Sequence, residues 1–188
     1  MTQDYAAMPF NQVRRTDRAV TDDAWIAGLL RRAAFGTLAT VHEGQPFINT
    51  NLFVYDPAAH AIYLHTARVG RTRANVQADG RACFSVSEMG RLLPADEALE
   101  FSVEYSGVVA FGQVYVLDEP DAARRALQML LDKYFPHLKP GEHYRPITDD
   151  ELARTGVYAF QIASWSGKRK AAAADFPGAF QYGAHGLP

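Results

Sequence analysis

Six short runs of alternating apolar and polar character, at 36–41, 47–55, 61–66, 81–87, 101–117 and 157–164, restrict the folds open to this chain more than any other feature. A period of two suits half-buried strands, and tight turns between such runs favour antiparallel pairing. The turns are legible in the composition. Gly44 and Pro46 mark a hairpin at 42–46, Asp56 and Pro57 follow the second run, and Asp79 and Gly80 precede the fourth. An antiparallel sheet with few helices must hide its edges, and a closed or nearly closed small barrel does that best.

Helical spacing appears in four places. Thr21, Asp22 and Asp23 supply an N-cap and an acidic first turn for Trp25, Ile26, Leu29, Leu30 and Ala33. A second helix is predicted over 71–78. Asp118 and Pro120 open a third, which continues through Ala123, Leu127, Leu130, Leu131 and Tyr134. Thr148 and Glu151 have capping-box spacing for a short fourth. Residues 88–98, with Gly90 and Pro94, read as an irregular excursion, and Gly107 and Gly112 as a bulge or a close backbone approach. The expected organisation is an arm at 1–20, one domain at 21–170 and a tail at 171–188.

Several function classes are disfavoured. A net charge of −2 is unlike that of general nucleic-acid binders, which need a broad basic face. There is no signal-peptide pattern and no run of eighteen apolar residues, so neither export nor membrane insertion is expected. The single Cys83 can form no intramolecular disulfide and reads as a buried, inert thiol in a reducing cytoplasm. Histidines at 42, 60, 65, 137, 143 and 185 lack metal-ligand spacing and partner cysteines, so no metal site is expected. Dinucleotide and P-loop glycine motifs are absent, and no serine sits in a GxSxG elbow.

The chemistry-bearing stretch is 60–78. A strand ending at His65 and Thr66 gives way to Gly70, Arg71, Thr72 and Arg73 at a helix start. Backbone N–H groups there carry partial positive charge, and a guanidinium fork can grip phosphate oxygens in pairs. On these residues alone, a solvated basic turn is the simpler account. His65 either caps its strand or faces a ligand. Asn49, Thr50 and Asn51 interrupt an apolar strand, placing amides on one face and a hydroxyl on the other. They mark a half-exposed edge or hydrogen-bond a planar heterocycle.

Taken in order, several motifs resemble the FMN-binding split-barrel superfamily of pyridoxamine 5'-phosphate oxidase-like proteins, and within it the nitroimidazole-resistance (Nim) branch. They are Gly36-Thr37-Leu38-Ala39-Thr40, Pro46-Phe47-Ile48, His65-Thr66-Ala67 with Gly70-Arg71 and Asn75, Cys83-Phe84-Ser85-Val86, Tyr105-Ser106-Gly107, and Ser164-Trp165-Ser166-Gly167-Lys168. The resemblance covers about residues 22 to 170. It implies a mainly β fold, a six-stranded antiparallel split β-barrel with flanking helices, paired as a homodimer with one FMN in each of two clefts between subunits. The phosphate would lie against Gly70, Arg71 and Arg73. The flavin ring would lie along Asn49, Thr50, Asn51 and Leu52, close to His65 and Thr66, and the partner subunit would contribute Tyr105, Ser106, Trp165 and Lys168. His65 matches a histidine beside the flavin that positions substrate or delivers a proton. One departure stands out: Thr72 replaces a phosphate-loop lysine, so a cation is missing unless Arg73 or Lys168 supplies it. The implied activity is an FMN-dependent oxidoreductase that takes electrons from a donor such as a reduced nicotinamide. It would pass them to a small electron-poor substrate such as a nitro-aromatic. The alternative is a non-catalytic flavin carrier, or a haem- or deazaflavin-binding protein on the same fold.

Overall fold

Eight strands and four α-helices succeed one another along residues 4–184, the residues that the computed structural model describes. In order they are β1 (Ala19–Val20), α1 (Asp23–Arg32), β2 (Gly36–His42), β3 (Gln45–Asn51), β4 (Phe53–Asp56), β5 (Ala61–Ala67), α2 (Arg71–Ala78), β6 (Arg81–Leu93), β7 (Ser102–Val116), α3 (Pro120–Tyr134), α4 (Asp149–Arg154) and β8 (Thr155–Lys170). The outermost parts of the expected arm and tail, residues 1–3 and 185–188 with His185, lie outside the described residues.

The strands form one antiparallel sheet in the order β3-β2-β6-β7-β8-β5-β4, with β1 attached to β8. The two ends of that order, β3 and β4, are consecutive in the chain and separated by Leu52 alone. The segment that finishes one edge therefore begins the other, and the sheet curls until its edges meet. This is a split barrel, closed by the chain itself and not by a ladder of hydrogen bonds.

The expected run at 47–55 is thus two strands. Asn51 still pairs with Gly36, whereas Phe53 already pairs with Leu64. The switch is held from α3. The Phe53 N–H donates to the Tyr134 hydroxyl at 3.0 Å, and that hydroxyl also meets the Ala34 carbonyl at 2.9 Å. Lys133 Nζ donates to the carbonyls of Ala33 and Phe53, both at 2.9 Å. These partners lie some eighty residues or more away, so no local pattern announces the break.

Three further differences extend the sheet from the expected six strands. Residues 88–93 are strand, because a register shift between Met89 and Leu92 lets β6 stay paired with β7 as far as Ser102. The final strand runs to Lys170 and carries Trp165 and Lys168. The two-residue β1 adds a short pairing to Gly167 and Lys168. Of the two flagged glycines, Gly107 sits in regular pairing with Ser87 and Lys168. Gly112 marks the register shift, and a Cβ there would lie 1.9 Å from the Gln161 carbonyl oxygen. The first hairpin turns on Glu43 and Gly44, both at positive φ, as a two-residue antiparallel turn requires.

Two apolar layers sit on this sheet. Inside the barrel, Ile26, Leu29 and Leu30 of α1 pack with Leu38, Phe53, Phe84, Val108, Tyr158 and Phe160. Outside it, Ala123, Ala126 and Leu130 of α3 pack on Val54, Ala61, Tyr63, Val157 and Ala159. β4, β5 and the start of β8 are consequently buried on both faces and read as continuous apolar runs. Across β3, β2, β6, β7 and β8 the outer face instead carries the lateral row Ile48, Ala39, Cys83, Phe111 and Ser164. Phe10 of the arm stacks on Phe111 with ring centroids 4.8 Å apart.

Candidate functional site

The start of α2 is an open anion cradle. Gly70 has φ 138°, a value L side chains rarely adopt, and the space its Cβ would occupy is empty within 4 Å. No side chain caps the helix and its first turn holds no acid. Arg71 is exposed and forms no ion pair among the described residues. The first N–H groups of the helix therefore point their partial positive charge outward.

Two amides rivet this helix to the barrel. Asn49 donates from Nδ2 to Thr72 Oγ1 at 3.1 Å, and Asn75 donates to Thr40 Oγ1 at 3.0 Å. Thr72 and Asn75 are only 6% and 1% exposed, and Asn75 Oδ1 has no partner among the described residues. Thr72, at the position flagged for a missing cation, is turned inward as an anchor. Arg73 leans the other way, 3.5 Å from the Asp118 carboxylate. Asn51 donates to the Asn49 carbonyl at 3.0 Å, while Thr50 meets Thr37 on the opposite face at 3.0 Å. Leu52 is exposed at the seam.

His65 lies on the same face of β5 as Tyr63 and makes no side-chain hydrogen bond among the described residues. With Leu52, Leu127, Leu131, Tyr134 and Ile147 it lines a cavity of about 370 Å³. His65 stays exposed, and partial burial against the cavity wall lowers its pKa from the ordinary histidine value, which favours the neutral ring. A neutral imidazole can orient a substrate by donating or accepting a hydrogen bond, and holds no spare proton until the pH falls. Arg145 and Glu151, paired through two contacts of 3.0 Å, border the same cavity. Thr66 faces the interior and meets the Tyr158 hydroxyl at 3.2 Å.

The remaining expected site residues lie elsewhere. Thr66 pairs with Gly156, and Lys168 is twelve residues farther along β8, about 40 Å of strand path at ~3.3 Å per residue. Tyr105 and Ser106 accompany Lys168, whose Nζ is 5.5 Å from the Tyr105 ring centre. One chain therefore does not join the two halves. Trp165 is half-buried and tied within its own chain: Nε1 donates to Asp23 at 2.8 Å, and its ring stacks edge-on against His60 at 4.5 Å. The cavity wall from α3 and the segment after it escaped the sequence reading. The apolar stripe of α3 was visible, but which of its leucines face His65 depends on docking.

A profile of the pyridoxamine 5'-phosphate oxidase family matches residues 22–169. Among curated proteins no sequence match was found. Solved structures show the same fold at low identity. The flavocytochrome Anf3 of Azotobacter vinelandii superposes with a TM-score of 0.75 at 22% identity, over 86% of this chain and 74% of that one. An FAD- and haem-binding protein of Mycobacterium smegmatis gives 0.74 at 24%, over 82% and 74%. A Bacteroides thetaiotaomicron protein assigned to 5-nitroimidazole antibiotic resistance gives 0.66 at 17%, over 80% and 86%. With a split barrel whose seam lies at Leu52 and a family profile spanning nearly all of it, the chain belongs to the pyridoxamine 5'-phosphate oxidase family.

Proposed function

We propose that the protein is a flavin-dependent oxidoreductase that reduces a small electron-poor substrate, nitroimidazole reductase-like in type. The observation that carries this reading is the pairing of an uncapped, acid-free helix start at Gly70 and Arg71 with an apolar cavity bordered by His65, at opposite ends of one short segment. A flavin phosphate would be held by the first N–H groups of α2 and by Arg71, with FMN the smallest cofactor that satisfies the turn. The ring would rest along β3 near Leu52. When bound, the flavin would accept electrons from a donor such as a reduced nicotinamide and release them to the acceptor. His65 would orient that acceptor, while Leu127, Leu131 and Tyr134 exclude water. The names of the structural relatives, which include flavin binders, support the choice of cofactor class.

The functional unit would be a homodimer. Tyr105, Ser106 and Lys168 lie far along the sheet from Arg71 of their own chain, and the outer row through Ala39, Cys83 and Phe111, which carries no helix and only Phe10 of the arm against Phe111, would receive a second copy.

The purified protein should be yellow, with flavin bands that a reduced nicotinamide bleaches and a nitro-aromatic restores. His65→Ala should retain flavin and lose most turnover. A reduced protein indifferent to every nitro compound would remove the reductase assignment. A second reading follows from the same histidine: an unpartnered imidazole on an apolar cavity can ligate haem iron. A Soret band in place of the flavin bands would select it.

A further inference from the structure

Most of the polar side chains on the wall of the His65 cavity are already engaged. The Tyr134 hydroxyl is taken by Phe53 and Ala34 at the seam, the Thr155 hydroxyl donates to the Glu151 carbonyl at 2.8 Å, and the Tyr144 hydroxyl accepts from Gln128 at 2.8 Å. With the His65 ring neutral, Arg145 and Glu151 are the formal charges on that wall, and both guanidinium Nη atoms of Arg145 donate to the Glu151 carboxylate at 3.0 Å. His65 alone of these groups has no side-chain partner among the described residues.

Glu151 is fixed where it stands. Its carboxylate also accepts from the Thr148 N–H at 2.9 Å and from the Thr148 hydroxyl at 3.0 Å. The Thr148 N–H first, and the Arg145 guanidinium next, hold its pKa down at about 2, from an ordinary 4.5, so it stays ionised at neutral pH. The rim segment sets Arg145 against Asp149, Asp150 and Glu151, and Arg124, 2.7 Å from Asp149, is engaged there as well. An incoming anion therefore meets no free cation at the mouth. Much of the remaining wall, including Leu127, Leu131, Phe135 and Ile147, is apolar, and about 370 Å³ falls within the roughly 300–1,000 Å³ of small-molecule sites. An uncharged body leaves water for such a site at little cost, whereas a carboxylate or phosphate loses its hydration with no charge to replace it.

Resting on the reductase reading above, we infer that the acceptor is an uncharged, mainly apolar aromatic, and that Glu151 decides this by occupying Arg145. Removing the charge of Glu151 releases the Arg145 fork at the cavity mouth, where it can grip a carboxylate in two places. Removing Arg145 leaves the Glu151 carboxylate bare, which attracts a cation instead. In the unaltered protein the neutral His65 ring and the Tyr144 hydroxyl offer the acceptor hydrogen bonds without charge.

Three nitro-aromatics of nearly one shape, 4-nitrobenzamide, 4-nitrobenzoate and 4-nitrobenzamidine, separate charge from fit. They are titrated calorimetrically into the protein as purified, with no electron donor, at about pH 8, where an ordinary imidazole is neutral. The unaltered protein should bind the amide at least about fivefold more tightly than either ion. Glu151→Gln, which keeps a residue suited to the capping box, should shift the benzoate-to-amide ratio at least about fivefold towards the benzoate. Arg145→Met, at a side chain 64% exposed, should shift the amidine-to-amide ratio as far towards the amidine, and carries the test alone if thermal melts show that Glu151→Gln does not fold. Arg145→Met combined with Glu151→Gln should restore the preference for the amide over the benzoate. Equal affinities in the unaltered protein, or ratios unmoved in the single variants, overturn the inference and leave the reductase reading standing. Charge discrimination in a protein that no donor reduces keeps the preference of the cavity and removes the reductase reading.

Discussion

On the side of the barrel formed by β4, β5 and the beginning of β8, α3 covers the outer face and α1 fills the inner one. On the side formed by β3, β2, β6 and β7, Leu38, Phe84 and Val108 reach the same core, Asn49 of β3 ties to α2, and the outer face carries Ile48, Ala39, Cys83 and Phe111 with no helix on it. The first side completes its burial within the chain. The second shows small and apolar side chains in a lateral row, and the β7–β8 end of that row holds the half of the expected site that lies far from Arg71. A sheet of one antiparallel pattern is therefore divided by what lies against it: a helix covers one half, and the proposed dimer would use the other.

The sharpest way to break this comparison is to truncate one aromatic on each face. Phe84, fully buried inside, should cost about 3–5 kcal/mol as Phe84→Ala in denaturant unfolding. Phe111→Ala should cost each chain less than about 1 kcal/mol yet weaken self-association by about tenfold in sedimentation. Equal unfolding costs, or unchanged association, would erase the distinction. At the cradle, Arg71→Ala should reduce flavin affinity by about tenfold, since a charge-assisted hydrogen bond contributes roughly 1.5–3 kcal/mol. A loss of stability without a loss of affinity would return Arg71 to the ordinary surface. Asn75→Ala, removing the buried bond to Thr40, should destabilise by about 1–2 kcal/mol, and the first amides to gain hydrogen exchange should be those of α2.

The smallest effect concerns the tail. Arg91 pairs with Glu104 at 2.9 Å and also donates to the Ala173 and Ala174 carbonyls, while Glu104 accepts from the Ala172 N–H at 2.8 Å. The Arg91 guanidinium, then the Ala172 N–H, hold the Glu104 carboxyl down at about 2, from an ordinary 4.5. Because the folded value is the lower one, this contribution is complete above about pH 4.5 and fades as the pH falls towards 2. Limited proteolysis within 171–180 should accelerate across that window, and Glu104→Gln should show the faster cleavage already at pH 7. A cleavage rate flat with pH in the unaltered protein would show that the tail is held by other contacts.

How much of this was readable beforehand varies by element. α1 and α3 were legible because Asp22, the acidic first turns and the apolar spacing are all local signals, although α3 is capped by Glu119 and not by the expected Asp118, which faces Arg73; the capping box at Thr148 and Glu151 forms as spaced. The continuation of β6 was not, because Gly90 and Pro94 imitate a loop while the ladder to Val103 and Ser102 crosses a register shift. At the site, the anion turn stood out from Gly70 and Arg71. The inward rotation of Thr72 and the diversion of Arg73 did not, since each depends on partners more than twenty residues away.

The residue order by itself determined where strands, turns and caps could form, and that the chain must curl to protect its edges, because period, turn chemistry and capping act over a few neighbouring residues. Only the tertiary structure decided that the edges meet at Leu52, that His65 lines a largely apolar cavity, and that Arg71 forms no ion pair among the described residues. Those outcomes depend on which faces dock and which charges find one another first, and both are set by packing between segments far apart in the chain.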